Sequence, residues 1–274
     1  MDAAKPLVSV IMSVYNGEAW LDDAIQSIIR QTYDNWEFII FDDASNEVTQ
    51  QILSKYKMDR RFRIERQADR NGLTKNLNLA IELCKGDYIA RMDADDVSLP
   101  ERFQKQVAYL QQHPKTDMAA GFIEFIDERG LPKGEWKDDR ERITNEQIRS
   151  LLPWRSCIAH PTVMFRKKLF KKFKYNETQK HSQDWDLWLQ LADHDKVMEK
   201  IPEPLLLYRV HSKSTTSLSN KGFALRKMQQ TYRAYLQSIE KGRNLSPFNR
   251  KVQIAFLFNS VKLFLSRIKR LFAS

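Results

Sequence analysis

LVSVIMSVYNGEAWLDDAIQSIIRQTYDNWEFIIFDD, residues 7–43, decides the fold class. It opens on an apolar, β-branched run, LVSVIMSVY (7–15), turns at Asn16-Gly17, and takes up helical spacing from about Glu18 to Gln31. It closes on a second apolar run, WEFIIFDD (36–43). Neither run has the strict apolar-polar alternation of a half-exposed strand, so both read as strands covered on two faces. The same order then repeats. A helical pattern covers about 47–57, the short run RFRIERQ (61–67) precedes LTKNLNLAIELC (73–84), and DYIARMD (87–93) precedes PERFQKQVAYLQQ (100–112). Strand alternating with helix predicts an α/β fold, a mostly parallel central sheet covered by helices.

Composition narrows the class. The chain has 274 residues, 42% of them hydrophobic and 29% charged, as in ordinary globular proteins. No window reaches the roughly 18 apolar residues of a membrane span, and Cys84 and Cys157 have no metal-ligand spacing. The expectation is therefore a cytoplasmic protein. The net charge of +10 is unevenly placed: residues 221–274 hold twelve Lys and Arg against Glu240 alone, a local +11, which leaves the first 220 residues at −1. The tail ends in RKVQIAFLFNSVKLFLSRIKRLFAS, whose Ile254, Leu257, Phe258, Val261, Phe264, Leu265, Ile268, Leu271 and Phe272 step by three and four. That pattern predicts a basic amphipathic helix, docked on the body or lying in an anionic membrane surface.

Ligands of open α/β sheets bind beyond the carboxyl ends of the strands. The polar residues of this chain gather there: Ser13, Tyr15 and Asn16 after the first strand, Asp42 and Asp43 after the second, and Asp93, Asp95 and Asp96 after the fourth. Three carboxylates in four positions repel one another unless a cation lies between them or water surrounds them. A helix N-terminus starting at Pro100, capped by Ser98 or Leu99, accounts for one acid. An EF-hand loop fails, because Ser98 and Gln104 stand where Gly and Glu are needed. Two readings of DADDV remain, a phosphatase like the haloacid dehalogenases with Asp93 as nucleophile, and a divalent cation completed by a diphosphate.

VSVIMSVYNGEAWL, IIFDDAS, NGLTKNLNLAI, YIARMDADDVSLPERF and QDWDLWLQL occur in the order and approximate spacing of family 2 glycosyltransferases, and over about residues 6–213 the chain resembles them. The resemblance implies a GT-A, Rossmann-like fold and an inverting transfer dependent on Mn²⁺ or Mg²⁺. It also implies a nucleotide-sugar donor, with UDP expected, and, as in bacterial polysaccharide, O-antigen and capsule enzymes, a lipid-linked saccharide acceptor. By the same likeness Ser13, Tyr15, Asn16 and Glu18 cradle the nucleotide, Asp43 reads the base as a hydrogen-bond acceptor, and Asp42 supports the turn. Asn71, Gly72 and Lys75 line the donor site, Asp93 faces the ribose beside Ala94, and Asp95 holds the metal with His211, leaving Asp96 outside. Asp184 is the base; Asp186 is a helix-end acid; His160 and Trp185 stand toward the acceptor. Gln183 departs from the family, where Glu commonly precedes this Asp.

The expected organisation is a GT-A catalytic domain over 1–219, its nucleotide-sugar half about 1–115 and its acceptor half about 116–219, with 220–274 as the basic helical extension. The polar stretch 128–146 is the candidate lid. The placement expected is cytoplasmic, peripheral on the inner face of the cell membrane, with no nucleic-acid partner. The competing classes are the phosphatase and a non-catalytic, basic-tailed membrane or nucleic-acid binder.

Overall fold

The structure, a computed structural model, describes residues 5–179, 181–212, 221–239 and 246–271. The expected 219/220 boundary, Glu240, Lys241, Arg243 and Phe272 lie outside the described residues. The repeating pattern becomes β1 (Val8–Val14), α1 (Leu21–Ile29), β2 (Trp36–Asp42), α2 (Glu47–Ser54), β3 (Phe62–Arg66), α3 (Leu73–Leu83) and β4 (Tyr88–Arg91). β2 and β4 flank β1 and β3 flanks β2, all parallel. The chain thus grows outward from β1 through β2 to β3, then returns to the other side of β1. That reversal opens a crevice at the carboxyl ends of β1 and β4, the usual ligand position in open α/β sheets.

Both faces of these strands are covered, as the uninterrupted apolar runs require. Val8, Val10, Met12, Phe38 and Ile40 belong to the core on one face, and Ile11, Ile39 and Phe41 to the core on the other. Gly86, just before β4, permits the tight approach to β1: a Cβ there would sit 2.5 Å from the Leu7 carbonyl oxygen.

Beyond β4 the sheet becomes mixed. The short β5 (Val97–Ser98) and α4 (Arg102–Gln112) lead to β6 (Met118–Ile126), β7 (Pro132–Glu135), α5 (Lys137–Glu141), α6 (Asn145–Leu151), β8 (Met164–Arg166), α7 (Gln183–Asp193) and β9 (Met198–Arg209). The order is β3-β2-β1-β4-β8-β6-β9-β5, with β7 on β6. β8 is antiparallel to both β4 and β6, and β9 is parallel to β6. β6 and β9 therefore run in the same direction as β4, and their carboxyl ends reach the same edge of the sheet. Ser98 does not cap a helix; it lies in β5, paired with Leu206 of β9.

The candidate lid is corrected in part. Within 128–146, β7 pairs with β6, and Asp139 of α5 is buried against Lys200, whose ammonium donates to the Asp139 carboxylate at 2.6 Å and to its backbone carbonyl at 2.7 Å. A segment anchored by a buried ion pair is framework rather than a free lid.

The C-terminal part adds α8 (Lys221–Ser238) and α9 (Pro247–Leu271). Tyr232 and Tyr235 of α8 are buried, and the Tyr232 hydroxyl donates to the Pro153 carbonyl. α9 docks through Phe248, Val252, Ala255 and Asn259, and the Asn259 amide donates to the Leu225 carbonyl of α8. The tail helix packs on the body, yet by a face other than the stripe its spacing predicts: Ile254, Leu257, Phe258, Val261, Phe264 and Leu265 are all exposed.

Candidate active site

Three turns frame one wall of the crevice. After β1, Asn16 takes a left-handed conformation (φ 50°), donates its N–H to Ser45 Oγ and accepts the Asn46 N–H on its side chain. Asn46 in turn caps α2 by accepting from the Thr49 N–H. Ser13 Oγ accepts from the Asn76 amide on α3. Glu18 is exposed and accepts from the Thr49 hydroxyl. After β2, Asp42 is buried and accepts from the Ser45 N–H at 2.9 Å, a turn-holding contact.

Asp43, also buried, reaches across to the segment before α3. Its Oδ1 accepts the Asn71 N–H at 2.7 Å and its Oδ2 the Gly72 N–H at 3.1 Å. Gly72 has φ 83°, a conformation glycine adopts without strain. Lys75 donates to the Asn71 side chain, and the Arg70 guanidinium lies 3.6 Å from the centre of the exposed Tyr15 ring. Asp43, Asn71, Gly72 and Lys75 are thus joined by direct contacts, and Tyr15 is linked to them through Arg70, whose Nε lies 3.9 Å from Asp43; Ser13 and Asn16 are held separately, by Asn76 and by Ser45 and Asn46. Arg70 was missed, although it directly precedes Asn71.

The acidic cluster forms the opposite wall. Ligand oxygens of Asp93, Asp95 and Asp96 lie within 4.8 Å of one another. Each acid has a different partner. Asp93 pairs with the buried Arg91 at the end of β4. Asp95 meets His211 Nε2 at 3.0 Å, and its carbonyl accepts from Arg209 Nε. Asp96 is almost fully buried and accepts the Arg209 N–H at 2.9 Å. Burial, then the charges of Asp95 and Asp93, push the Asp96 carboxyl well up from its ordinary range. Burial likewise raises Asp93, against the lowering pull of Arg91. A set of crowded carboxylates with a nearby imidazole is a donor set for Mn²⁺ or Mg²⁺. His211 is backed by the Trp20 ring at 4.4 Å, and Trp20 Nε1–H donates to the Glu128 carbonyl. Ala94 faces Gly17 across the crevice floor.

Asp184 is the second residue of α7, which begins after Ser182 in the left-handed region (φ 51°). Burial raises its carboxyl; the Trp185 N–H and the Arg91 charge pull it down, and the Asp93 charge raises it further. Asp184 therefore shares an electrostatic neighbourhood with Arg91 and Asp93. Arg91, hidden in the apolar run YIARM, is the main residue the sequence reading passed over; its signal was a cation inside a both-face-buried strand. Its charge also reaches Tyr175 and His160.

Two assignments are corrected. His160 is buried, bonded to the Tyr175 hydroxyl at 2.7 Å and edge-on to Trp188; burial pushes its imidazole well below its ordinary range. Trp185 is buried too, donating to the Leu152 carbonyl and packed on Tyr232 of α8. Neither lines an acceptor surface. Asp186 stands in the first turn of α7, as expected of a helix-end acid, and it is fully buried there: it accepts from Gln190 at 2.8 Å, and burial pushes its carboxyl up to about 6. A separate groove of about 750 Å³, bounded by Lys85, Tyr88, Lys168 and Phe170 among others, opens at the opposite edge of the sheet.

The model of glycosyl transferase family 2 matches residues 9–174. The chain belongs to this family. The transferase is 35% identical over 209 residues to an uncharacterized glycosyltransferase of Methanocaldococcus jannaschii, covering 75% of this chain and 71% of that one. It is also 35% identical over 213 residues to the O-antigen biosynthesis glycosyltransferase WbnJ of Escherichia coli, covering 76% and 82%. Among solved structures it resembles S. aureus TarS 1–349 in complex with UDP-GlcNAc (TM-score 0.71, 18% identity, 92% and 72% covered). It also resembles the mannosyltransferase PcManGT from Pyrobaculum calidifontis in complex with GDP-Man and Mn²⁺ (TM-score 0.68, 15% identity, 97% and 76% covered). At these identities the structural likeness is one of fold, and that fold is GT-A. Family membership makes the chain an enzyme and removes the phosphatase and the non-catalytic binder.

Proposed function

We propose that this transferase moves a sugar, with inversion, from a UDP-linked donor to a hydroxyl of a lipid-linked glycan at the inner face of the cell membrane. The observation that carries the reading is the meeting of Asp93, Asp95, Asp96 and His211 at one edge of the sheet, with Asp43 across the crevice and Asp184 within electrostatic reach. The nucleotides named for the solved relatives support the donor class. The naming of relatives for O-antigen, amylovoran and teichuronic acid biosynthesis supports the acceptor class.

Tyr15 offers its exposed face to a base, with Arg70 as the present occupant of that face. Asp43 retains an acceptor direction on Oδ2 for an imide N–H of uracil, since a carboxylate has about four lone-pair sites. Asp93 is directed to the ribose, held by Arg91. Asp95 and His211 would hold Mn²⁺ or Mg²⁺, which supplies Lewis-acid stabilisation of the departing diphosphate. Asp184 removes the proton from the acceptor hydroxyl as the new bond to the anomeric carbon forms and the bond to the diphosphate oxygen breaks. Burial makes it a stronger base than a solvated carboxylate, which suits that step.

The test is nucleotide release from a panel of UDP-, GDP- and dTDP-sugars, with and without EDTA. UDP release that needs Mn²⁺ or Mg²⁺ is expected. Equal turnover in EDTA refutes the metal, and preferred turnover of a GDP-sugar refutes the reading of Asp43.

A further inference from the structure

α9 carries apolar residues on two sides. At 100° per residue, Phe248, Val252, Ala255 and Asn259 point to the body, while Ile254, Leu257, Phe258, Val261, Phe264 and Leu265 fall in a sector roughly 120° wide, centred roughly 150° from the docked side. The six are 51–63% exposed. At roughly 100 Å² each they present about 600 Å² of apolar surface, at the upper end of the largest patch found on ordinary monomers. The patch does not stop at the helix. Trp154, on the turn after α6, is 43% exposed and meets the Phe258 ring edge-on at 6.3 Å.

Charge selects the occupant. α9 contains Arg250, Lys251, Lys262, Arg267, Lys269 and Arg270 and no acid; Arg250, Lys251 and Lys262 are exposed. A second copy laid on this face would bring cation against cation, whereas a surface of anionic lipid headgroups neutralises them. Trp at the rim of such a patch suits the headgroup boundary. No described helix is long and apolar enough to cross a membrane, so α9, at about 37 Å for its 25 residues, lies along the surface.

We infer that the outer face of α9, continued by Trp154, is a preformed docking surface for an anionic lipid bilayer. The docked side of the same helix makes this a rigid platform rather than a tether, so the membrane is met in one orientation relative to the crevice. The inference deepens the membrane placement proposed above; its assay uses neither donor nor acceptor, so it can fail while the transferase chemistry stands, and the reverse.

The experiment is co-sedimentation of the full chain with vesicles of phosphatidylcholine alone or with about 30% phosphatidylglycerol, at low and high salt. Binding to the anionic vesicles, weakened by salt, is expected, with a loss of about ten-fold or more in Phe258→Glu/Phe264→Glu and in Lys251→Glu/Lys262→Glu. Those side chains are exposed, so thermal melting and metal-dependent nucleotide release should stay as in the parent chain. No binding to anionic vesicles, or equal binding to neutral ones, overturns the inference. So does a dimer in sedimentation velocity that Phe258→Glu/Phe264→Glu converts to monomer.

Discussion

Asp184 and Asp186 stand two residues apart on α7, yet replacing each by Asn should act in opposite ways. Asp186 is the more quantitative case. Its carboxyl is fully buried with Gln190 as hydrogen-bond partner, and burial moves it from 3.8 to about 6. A carboxyl raised in the folded state binds its proton more tightly there than in the unfolded chain. Stability therefore falls as pH rises from about 4 to about 6 and is flat above. At about 1.4 kcal/mol per pH unit, the gap between 3.8 and about 6 amounts to about 3 kcal/mol. Asp186→Asn removes this titration and still offers an oxygen to Gln190. The variant's stability relative to the parent should therefore climb by about 3 kcal/mol between pH 4 and pH 7, or roughly 5 to 10 °C in melting temperature. The assay is a thermal or urea melt of both proteins at half-unit pH steps, using the difference between the curves so that other titrating groups cancel. A difference that stays flat with pH, or that falls, refutes the argument. Nucleotide release by Asp186→Asn at neutral pH should stay near that of the parent.

Asp184→Asn should lower turnover by about 100- to 10,000-fold, with little change in donor KM, because it removes the base and not the nucleotide contacts. Unchanged turnover removes the assignment. Asp95→Asn should abolish metal-stimulated nucleotide release, and His211→Ala should weaken Mn²⁺ binding by at least about ten-fold, read by titration of the protein with the metal. Lys200→Met leaves the buried Asp139 carboxylate uncompensated and should cost about 3 to 5 kcal/mol in a urea melt; Lys200→Met/Asp139→Leu should recover most of it.

The legible part of this protein was local. Apolar runs with no polar alternation announced β1, β2 and β4, and 3.6-residue spacing announced α1 to α4 within a few residues of their ends. The strand ends then located the crevice, because strands of one direction bring their carboxyl ends to one edge. The illegible part depended on burial and on which side chains packing brings together. Arg91 in YIARM and Asp139 in a polar stretch look like a stray cation and a surface acid until Asp93 and Lys200 are placed beside them. Nor did anything in the chain single out Arg102, whose guanidinium is buried, donating to the Arg91 and Val163 carbonyls, and which burial pushes down to about 9.

The tail shows the division most plainly. Spacing alone predicted that 250–274 would be helical, basic and apolar on one stripe. It left open whether that stripe faced the body, because periodicity records that a helix has a face and not what lies against it. Only packing decided this: Phe248, Val252, Ala255 and Asn259, a second and less conspicuous row, meet the body, and Ile254, Leu257, Phe258, Val261, Phe264 and Leu265 of the conspicuous stripe are left outside. The acidic cluster followed the same rule. Its address at the end of the fourth strand was written in the chain, whereas the unequal partners Arg91, His211 and the Arg209 N–H came from β4 and β9 meeting at one edge.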